Sequence, residues 1–306
     1  MSEVAITPRS FRSVPGEHLE ILRRAGVDVR YPEAERALDE ADMVELVRGC
    51  WGLIVGVDPV TEAVLCAGPL RAVVKYGSGT DNIDIEAAGR RGVRVSATPG
   101  ANARSVAELA VGLLLALARH IVAHDRSIRG GSWGRRMGIE LAGRVLGIVG
   151  YGAVGRQVAA LGRALGMQVV AHDRYVDHAD VSLVDLDSLL MQADAVSLHV
   201  PLTDETRHLI RGRELALMRP DAILVNTCRG GVVDEEALAR ALVDGRLGGA
   251  AFDSFEREPP GASPLFEIDT FVASPHAGAA TGEAARRTGL AAVTELLASA
   301  PREGSA

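Results

Sequence analysis

The chain has 306 residues, 47% of them apolar and 24% charged, and a net charge of −7 at neutral pH. That length accommodates two domains with full cores. The acidic balance gives no basic footprint for nucleic acid or anionic lipid, although local arginines can still hold an anionic substrate. Cys50, Cys66 and Cys228 lack the spacing of a disulfide framework or a zinc site, so no metal is expected. The opening MSEVAITPRSF has no signal pattern, and the longest apolar run, Leu109 to Ala118, is too short to span a bilayer. A soluble chain in the cytoplasm, without membrane or nucleic-acid partners, is the expectation.

In chain order, Val4–Thr7 reads as a strand, Glu17–Ala25 as a helix stopped by Gly26, and Val27–Arg30 as a second strand. Met43–Arg48 has helical spacing, Leu53–Val57 is an apolar strand, and Ala72–Lys75 is another, ending in the glycine-rich loop 76–82. A helix over Asp84–Arg91 leads to the strand Val93–Val95. Short apolar strands alternating with helices predict an α/β unit with a parallel sheet covered on both faces. Thr98-Pro99-Gly100 breaks the pattern, and the spacing then predicts one long helix over Asn102–Arg129, with Ser105-Val106-Ala107-Glu108 in capping-box form. A basic, glycine-spaced stretch, Gly130–Gly138, follows.

Val145–Val149 is a buried strand leading into Gly150-Tyr151-Gly152-Ala153-Val154-Gly155, a helix to Leu165, and a second strand, Met167–Ala171, ending at Asp173. In a G-x-G-x-x-G unit the first glycine makes the tight turn, the second lets a pyrophosphate approach the backbone, and the third lets helix and strand pack closely. The helix N-terminus then faces the phosphates. An acid about 20 residues downstream accepts the ribose hydroxyls and repels a 2′-phosphate, so Asp173 favours NAD over NADP. Arg174 beside it is the residue type that can accommodate that phosphate.

The alternation then resumes: helix Leu186–Met191, strand Ala195–Val200, helix Arg213–Met218, strand Ala222–Asn226, helix Asp234–Asp244, and strands Gly249–Phe252 and Thr270–Ala273. A last helix, Glu283–Ser299, is expected to return to the N-terminal domain. The resulting architecture is two doubly wound parallel-sheet domains. The expectation is a Rossmann NAD-binding domain (98–276) inserted in a flavodoxin-like substrate domain (1–97 and 277–306).

Ligands of open parallel sheets sit beyond the carboxyl ends of the strands. Arg229, after Val225-Asn226-Thr227-Cys228, offers a planar fork for a substrate carboxylate. His276, in Ser274-Pro275-His276, can exchange a hydroxyl proton near neutral pH. Glu258 could hold that imidazole in one orientation and favour its charged form, with Glu256 competing for the role.

Several segments occur in the order typical of D-2-hydroxyacid dehydrogenases: Gly150–Gly155, His199-Val200-Pro201-Leu202-Thr203, Asn226–Leu238, Phe255–Pro260 and Ser274–Ala280. The chain resembles that family over essentially its whole length, and is most similar to its D-3-phosphoglycerate dehydrogenase branch. The resemblance implies NAD as cofactor, a small 2-hydroxy or 2-oxo acid as substrate, and Arg229, Glu258 and His276 as the catalytic trio. It further implies Ala153, Val154 and Asp173 on the pyrophosphate and adenosine, Val200 and Pro201 in the adenine groove, and Thr227 and Cys228 by the nicotinamide. Asp253 would hold the carboxamide, with Gly278 close to it, while backbone N–H groups at Ser78 and Gly79 would bind the substrate carboxylate. The family's dimer, built through the cofactor domains with the long helix at the interface, implies a homodimer here. One departure is visible. Where many phosphoglycerate enzymes place a basic residue, this chain has Gly56-Val57-Asp58, which leaves Lys75, Arg135 and Arg136 as sources of positive charge, the last two from the other subunit. NAD-sensing C-terminal binding protein corepressors and phosphite-oxidising phosphonate dehydrogenases are similar to the same family and give the alternative readings.

Overall fold

The computed structural model describes residues 2–33 and 36–300. Position 1 and positions 301–306 of the expected substrate domain, with 34 and 35, lie outside the described residues. The chain divides into two compact units, Met1–Asn102 with Ala280–Ala306, and Ala103–Ala279.

The first unit runs β1 (Ser2–Ile6), α1 (Arg9–Ser13), α2 (Glu17–Arg24), β2 (Val27–Arg30), α3 (Glu40–Leu46), β3 (Gly52–Val55), α4 (Glu62–Ala67), β4 (Ala72–Lys75), α5 (Ile85–Arg90) and β5 (Arg94–Ala97). Its five strands lie in the order β2-β1-β3-β4-β5, every pair parallel, which is the flavodoxin-like order. β3 and β4 are buried along their whole length, which is why they read as continuous apolar runs rather than alternating ones. Leu53, Val55 and Val73 pack on one side with Met43 and Val64, while Ile54 and Val74 pack on the other with Phe11 and Leu22. Asp39 and Asp84 cap α3 and α5 by accepting N–H bonds from Asp42 and Ala87, which satisfies donors that the first helical turn leaves over.

The second unit begins with α6 (Ala103–Ala118) and α7 (Ile121–Arg129) and continues β6 (Val145–Val149), α8 (Ala153–Ala164), β7 (Gln168–His172), β8 (Ser182–Leu183), α9 (Leu186–Gln192) and β9 (Ala195–Leu198). It ends with α10 (Gly212–Leu217), β10 (Ile223–Asn226), α11 (Glu235–Val243), β11 (Gly249–Phe252) and β12 (Phe271–Ala273). Seven strands form one parallel sheet in the order β12-β11-β10-β9-β6-β7-β8. Leu114 and Leu117 of α6 cover one face with Leu146, Ile148 and Val225. On the other face Leu189, Leu190, Leu238 and Leu242 of α9 and α11 meet Val196, Leu198 and Leu224. Each such side chain, fully buried, contributes roughly 1.5–3 kcal/mol. β6 is the strand from which the order runs out in both directions, and the crevice beyond its carboxyl end is where an open α/β sheet binds its ligand. The chain then closes with α12 (Gly282–Leu297), whose Ala292, Val293 and Leu296 pack with Val4, Ile6 and Ile54 in the first unit's own core.

The long helix expected over Asn102–Arg129 is two helices. It breaks at Arg119-His120, where His120 is left-handed (φ 51°), and α6 and α7 are bent by 63°. The cause is tertiary: the Ala118 carbonyl accepts from the Ile139 N–H at 2.8 Å instead of from the next helical turn. Nor does Ser105 start the helix. α6 begins at Ala103, Ser105 is buried inside it, and Glu108 takes the Arg104 guanidinium at 2.5 Å. β3 ends at Val55 and β9 at Leu198, two residues short of the expected limits, while α1, α4 and β8 are elements that the sequence pattern did not reveal. Among the described residues no single helix is long and apolar enough to cross a membrane.

Candidate active site

Beyond β6 the chain turns at Gly150 (φ 94°) and enters α8 with Gly152 as N-cap. A Cβ at Gly155 would lie 2.1 Å from the Gly150 carbonyl oxygen, so the first turn of α8 is pressed against the end of the strand. A Cβ at Gly152, by contrast, would meet nothing within 4 Å. The backbone is therefore sealed on the strand side and open on the outer side, where the N-terminal dipole of α8 and the N–H groups of Ala153 and Val154 favour an anion. No acidic residue stands in that first turn.

Asp173 follows β7. Its Oδ2 accepts the Tyr151 N–H at 2.7 Å and its Oδ1 the Tyr175 N–H at 2.8 Å. Two donors leave lone pairs over on both carboxylate oxygens, so the glycine turn aims Asp173 while its capacity for ribose hydroxyls remains. Arg174 pairs with Glu205 at 2.6 Å. Val200 and Pro201 follow β9, and a Cβ at Gly150 would come within 3.0 Å of Val200 Cγ1. At the end of β10 the Thr227 Oγ1 is buried with no hydrogen-bond partner among the described residues, and a buried hydroxyl without a partner calls for one. An open cradle, an aimed carboxylate and an unsatisfied buried hydroxyl fit a dinucleotide.

The expected catalytic residues lie in the same unit, past β10, β11 and β12. Asn226 is fully buried and folds the turn after β10: its Nδ2 donates to the Arg229 carbonyl at 2.9 Å and its Oδ1 accepts the Cys228 N–H at 3.1 Å. Burial pushes the Cys228 thiol up to about 11, so it stays protonated near neutral pH. The Arg229 Nη1 donates to the Cys228 carbonyl at 2.8 Å. A Cβ at Gly230 would sit 1.8 Å from the Phe255 carbonyl carbon and 2.1 Å from the Glu256 nitrogen. Only glycine permits that approach, which brings the Arg229 turn onto the loop that carries Glu258.

Glu258 Oε1 accepts the Phe255 N–H at 3.0 Å, and its Oε2 lies 2.7 Å from His276 Nδ1. Burial works to raise the Glu258 carboxyl. The His276 hydrogen bond, the ring's charge, the Phe255 N–H and the Arg229 charge outweigh it and hold the group below its ordinary value. Glu256, the competing acid, instead takes His208 Nε2 at 2.8 Å, and its N–H donates to Glu235 at 2.7 Å. His276 adopts a left-handed φ of 51°, a conformation that costs a non-glycine residue free energy and that its surroundings must enforce. Asp253 enforces it. Its carbonyl accepts the His276 N–H at 2.8 Å, its Oδ1 takes Ser274 Oγ at 2.6 Å and the Ala277 N–H at 2.7 Å, and its Oδ2 takes the Gly278 N–H at 2.8 Å. Asp253 is thus the anchor of the turn that presents His276 as well as the residue expected at the carboxamide.

His276 therefore meets the Glu258 carboxylate directly and Arg229 acts on it through its charge, with Thr227, Cys228, Asp253 and Gly278 on neighbouring strand ends. Ser78 and Gly79 belong to the other unit, in the loop after β4. Sequence reasoning passed over Ser254, whose hydroxyl is also buried without a partner among the described residues. Its place two positions past β11, beside Asp253, was the available signal.

Residues 111–278 match the NAD binding domain of the D-isomer specific 2-hydroxyacid dehydrogenases. Over 268 residues the chain is 42% identical to a hydroxypyruvate reductase of Thermotoga maritima, a match covering 85% of this chain and 88% of that protein. It is 40% identical to a D-3-phosphoglycerate dehydrogenase of Methanocaldococcus jannaschii over 84% of this chain, which spans only 51% of that relative. A crystal structure of a Thermus thermophilus protein superposes with a TM-score of 0.89 at 38% identity, covering 97% of this chain and 96% of that one. The chain belongs to the D-isomer specific 2-hydroxyacid dehydrogenases, and its second unit is the family's NAD-binding domain.

Proposed function

We propose that Arg229, Glu258 and His276 are the catalytic residues with which this chain interconverts a D-2-hydroxy acid and the corresponding 2-oxo acid. The observation that carries the reading is the Glu258 carboxylate, bonded to the His276 imidazole and within the field of the Arg229 guanidinium. Bonded to Glu258 through Nδ1, the ring has Nε2 to take the substrate's hydroxyl proton in oxidation and to return it in reduction. Arg229 holds the substrate carboxylate by a bidentate fork, with Ser78 and Gly79 as further carboxylate ligands. NAD, when bound, supplies the redox chemistry as a hydride donor or acceptor. Gly150, Gly152, Ala153, Val154 and Gly155 form its phosphate cradle, Asp173 its ribose ligand, Val200 and Pro201 its adenine wall, and Thr227, Cys228, Asp253 and Gly278 the surroundings of the nicotinamide. A homodimer in the cytoplasm completes the reading, and the outward-facing Ile121, Ile128, Trp133 and Met137 support the dimer.

Within the class, D-3-phosphoglycerate is the first substrate to test, because the motifs of the chain most resemble that branch of the family. A small unphosphorylated acid such as hydroxypyruvate is the second reading, and Asp58 favours it. That carboxylate is buried just past β3, where Oδ2 accepts from Thr7 Oγ1 at 2.5 Å and Oδ1 from the Leu38 N–H at 3.0 Å. The Asp58 carboxylate opposes a phosphate there, and the Lys75 Nζ expected to offset it donates to the Gly56 carbonyl and to Asn82 Oδ1, each at 2.6 Å. The test is loss of NADH absorbance with 3-phosphohydroxypyruvate, hydroxypyruvate, glyoxylate and pyruvate, and gain of it with phosphite and NAD. Turnover of at least one 2-oxo acid is expected. Tight NADH binding without turnover of any would replace the enzyme by a sensing scaffold, and turnover of phosphite alone would reassign the reaction.

A further inference from the structure

Arg174 stands where a guanidinium could receive the 2′-phosphate of NADP, yet it is engaged. Its Nη1 lies 2.6 Å from Glu205 Oε2, and the Tyr175 hydroxyl approaches the same oxygen at 3.4 Å. Glu205 comes from the loop after β9, whereas Asp173 and Arg174 come from the loop after β7, and β6 lies between these two strands. The ion pair thus crosses the crevice at the end of β6, linking the loop that carries Asp173 to the one that carries Val200 and Pro201. The Glu205 loop is built to hold its position. Thr206 Oγ1 donates to the Pro201 carbonyl at 2.6 Å and accepts the Thr203 N–H at 2.8 Å, and the Arg207 N–H donates to the Thr203 carbonyl at 2.8 Å.

We propose that Glu205 is a specificity-determining residue, which keeps the Arg174 guanidinium from a 2′-phosphate and so selects NAD over NADP. The inference rests on the placement of the adenosine ribose at Asp173. It adds a second acid to that selection: Asp173 repels the phosphate directly, while Glu205 repels it and also occupies the cation that would otherwise reward it. Both partners of the pair are more than half exposed, and an exposed pair is weak. Removing Glu205 therefore releases Arg174 without disturbing a core.

The experiment measures NADH and NADPH dissociation constants by nicotinamide fluorescence, without substrate. In Glu205→Gln the ratio of the NADPH to the NADH constant is expected to fall about three- to fivefold, the scale of one exposed ion pair exchanged for a contact to the phosphate. Adding Arg174→Ala should cancel that gain, and about 0.5 M salt should shrink it. An unchanged ratio in Glu205→Gln, or a gain that survives loss of Arg174, would overturn the proposal. Asp173→Asn separates the two readings. If it shifts the ratio and Glu205→Gln does not, only the role of Glu205 falls; if it shifts nothing, the placement of the ribose falls and takes the role of Glu205 with it.

Discussion

Glu258 Oε2 lies 2.7 Å from His276 Nδ1, although 18 positions separate the two residues along the chain. The contact is made by two strand-end turns that are each held from behind. Phe255 donates its N–H to the other oxygen of Glu258, and Asp253 gathers the N–H groups of His276, Ala277 and Gly278. The ring is thus held at its Nδ1 edge, which leaves Nε2 for the proposed proton transfer.

His276→Ala should lower kcat by roughly 10²–10⁴-fold, the usual worth of a positioned acid–base group. NADH binding, followed by fluorescence, should persist. Glu258→Gln keeps the shape but not the charge, and should cost less in kcat than His276→Ala. Steady-state kinetics on the best substrate decide the matter, and wild-type turnover by His276→Ala would remove the ring from the mechanism.

Arg229→Lys tests the fork. A lysine keeps the positive charge but cannot make two parallel bonds to a carboxylate. KM for the organic acid should rise about tenfold or more, on the scale of one lost charged hydrogen bond. The protein should still fold, because the turn around residue 229 is tied by Asn226 through backbone atoms. An unchanged KM would contradict the assignment.

The strand-end positions of these residues were legible because a parallel sheet buried on both faces demands apolar runs, and each run ends where a ligand-facing loop begins. Val145–Val149, Ile223–Asn226 and Gly249–Phe252 announce themselves in this way. The choice of Glu258 over Glu256 came from the family resemblance and was not legible in the residue pattern itself, because both acids stand in one short loop and only folding turns one toward His276 and the other toward His208. The break at His120 was hidden for a similar reason. The apolar spacing runs on through it with no glycine or proline, and the bond that ends α6 comes from Ile139.

His199, just past β9, makes stability depend on pH. Burial pushes its imidazole down to about 3, and its Nε2 lies 2.8 Å from Ser197 Oγ. Below about pH 6.5 the unfolded chain binds a proton that the folded chain refuses, so stability rises with pH across that window and is lost as pH falls from 6.5 toward 3. His199 retains some exposure, which softens the effect. Between pH 7.5 and 5 the wild type should lose about 1–2 kcal/mol through this residue. Urea midpoints for wild type and His199→Gln at the two pH values measure it. The variant should show a shallower slope, and parallel slopes would mean that His199 titrates alike in the folded and unfolded chains.

Gly152 and Gly155 stand three residues apart in one turn, and alanine should injure them in different ways. At Gly155 the new Cβ would lie 2.1 Å from the Gly150 carbonyl oxygen and 3.1 Å from Ile148 Cγ2. Relief requires α8 to lift from β6, so Gly155→Ala should cost about 1–3 kcal/mol of stability, seen as a lower urea midpoint. At Gly152 the Cβ would meet no protein atom within 4 Å, so the midpoint of Gly152→Ala should stay close to that of wild type. The space it fills is that proposed for the pyrophosphate, and NADH affinity should fall about tenfold or more as the phosphates are held off the first turn of α8. Calorimetric titration with NADH measures the second effect. A Gly152→Ala protein that is destabilised yet binds NADH normally would place the dinucleotide elsewhere.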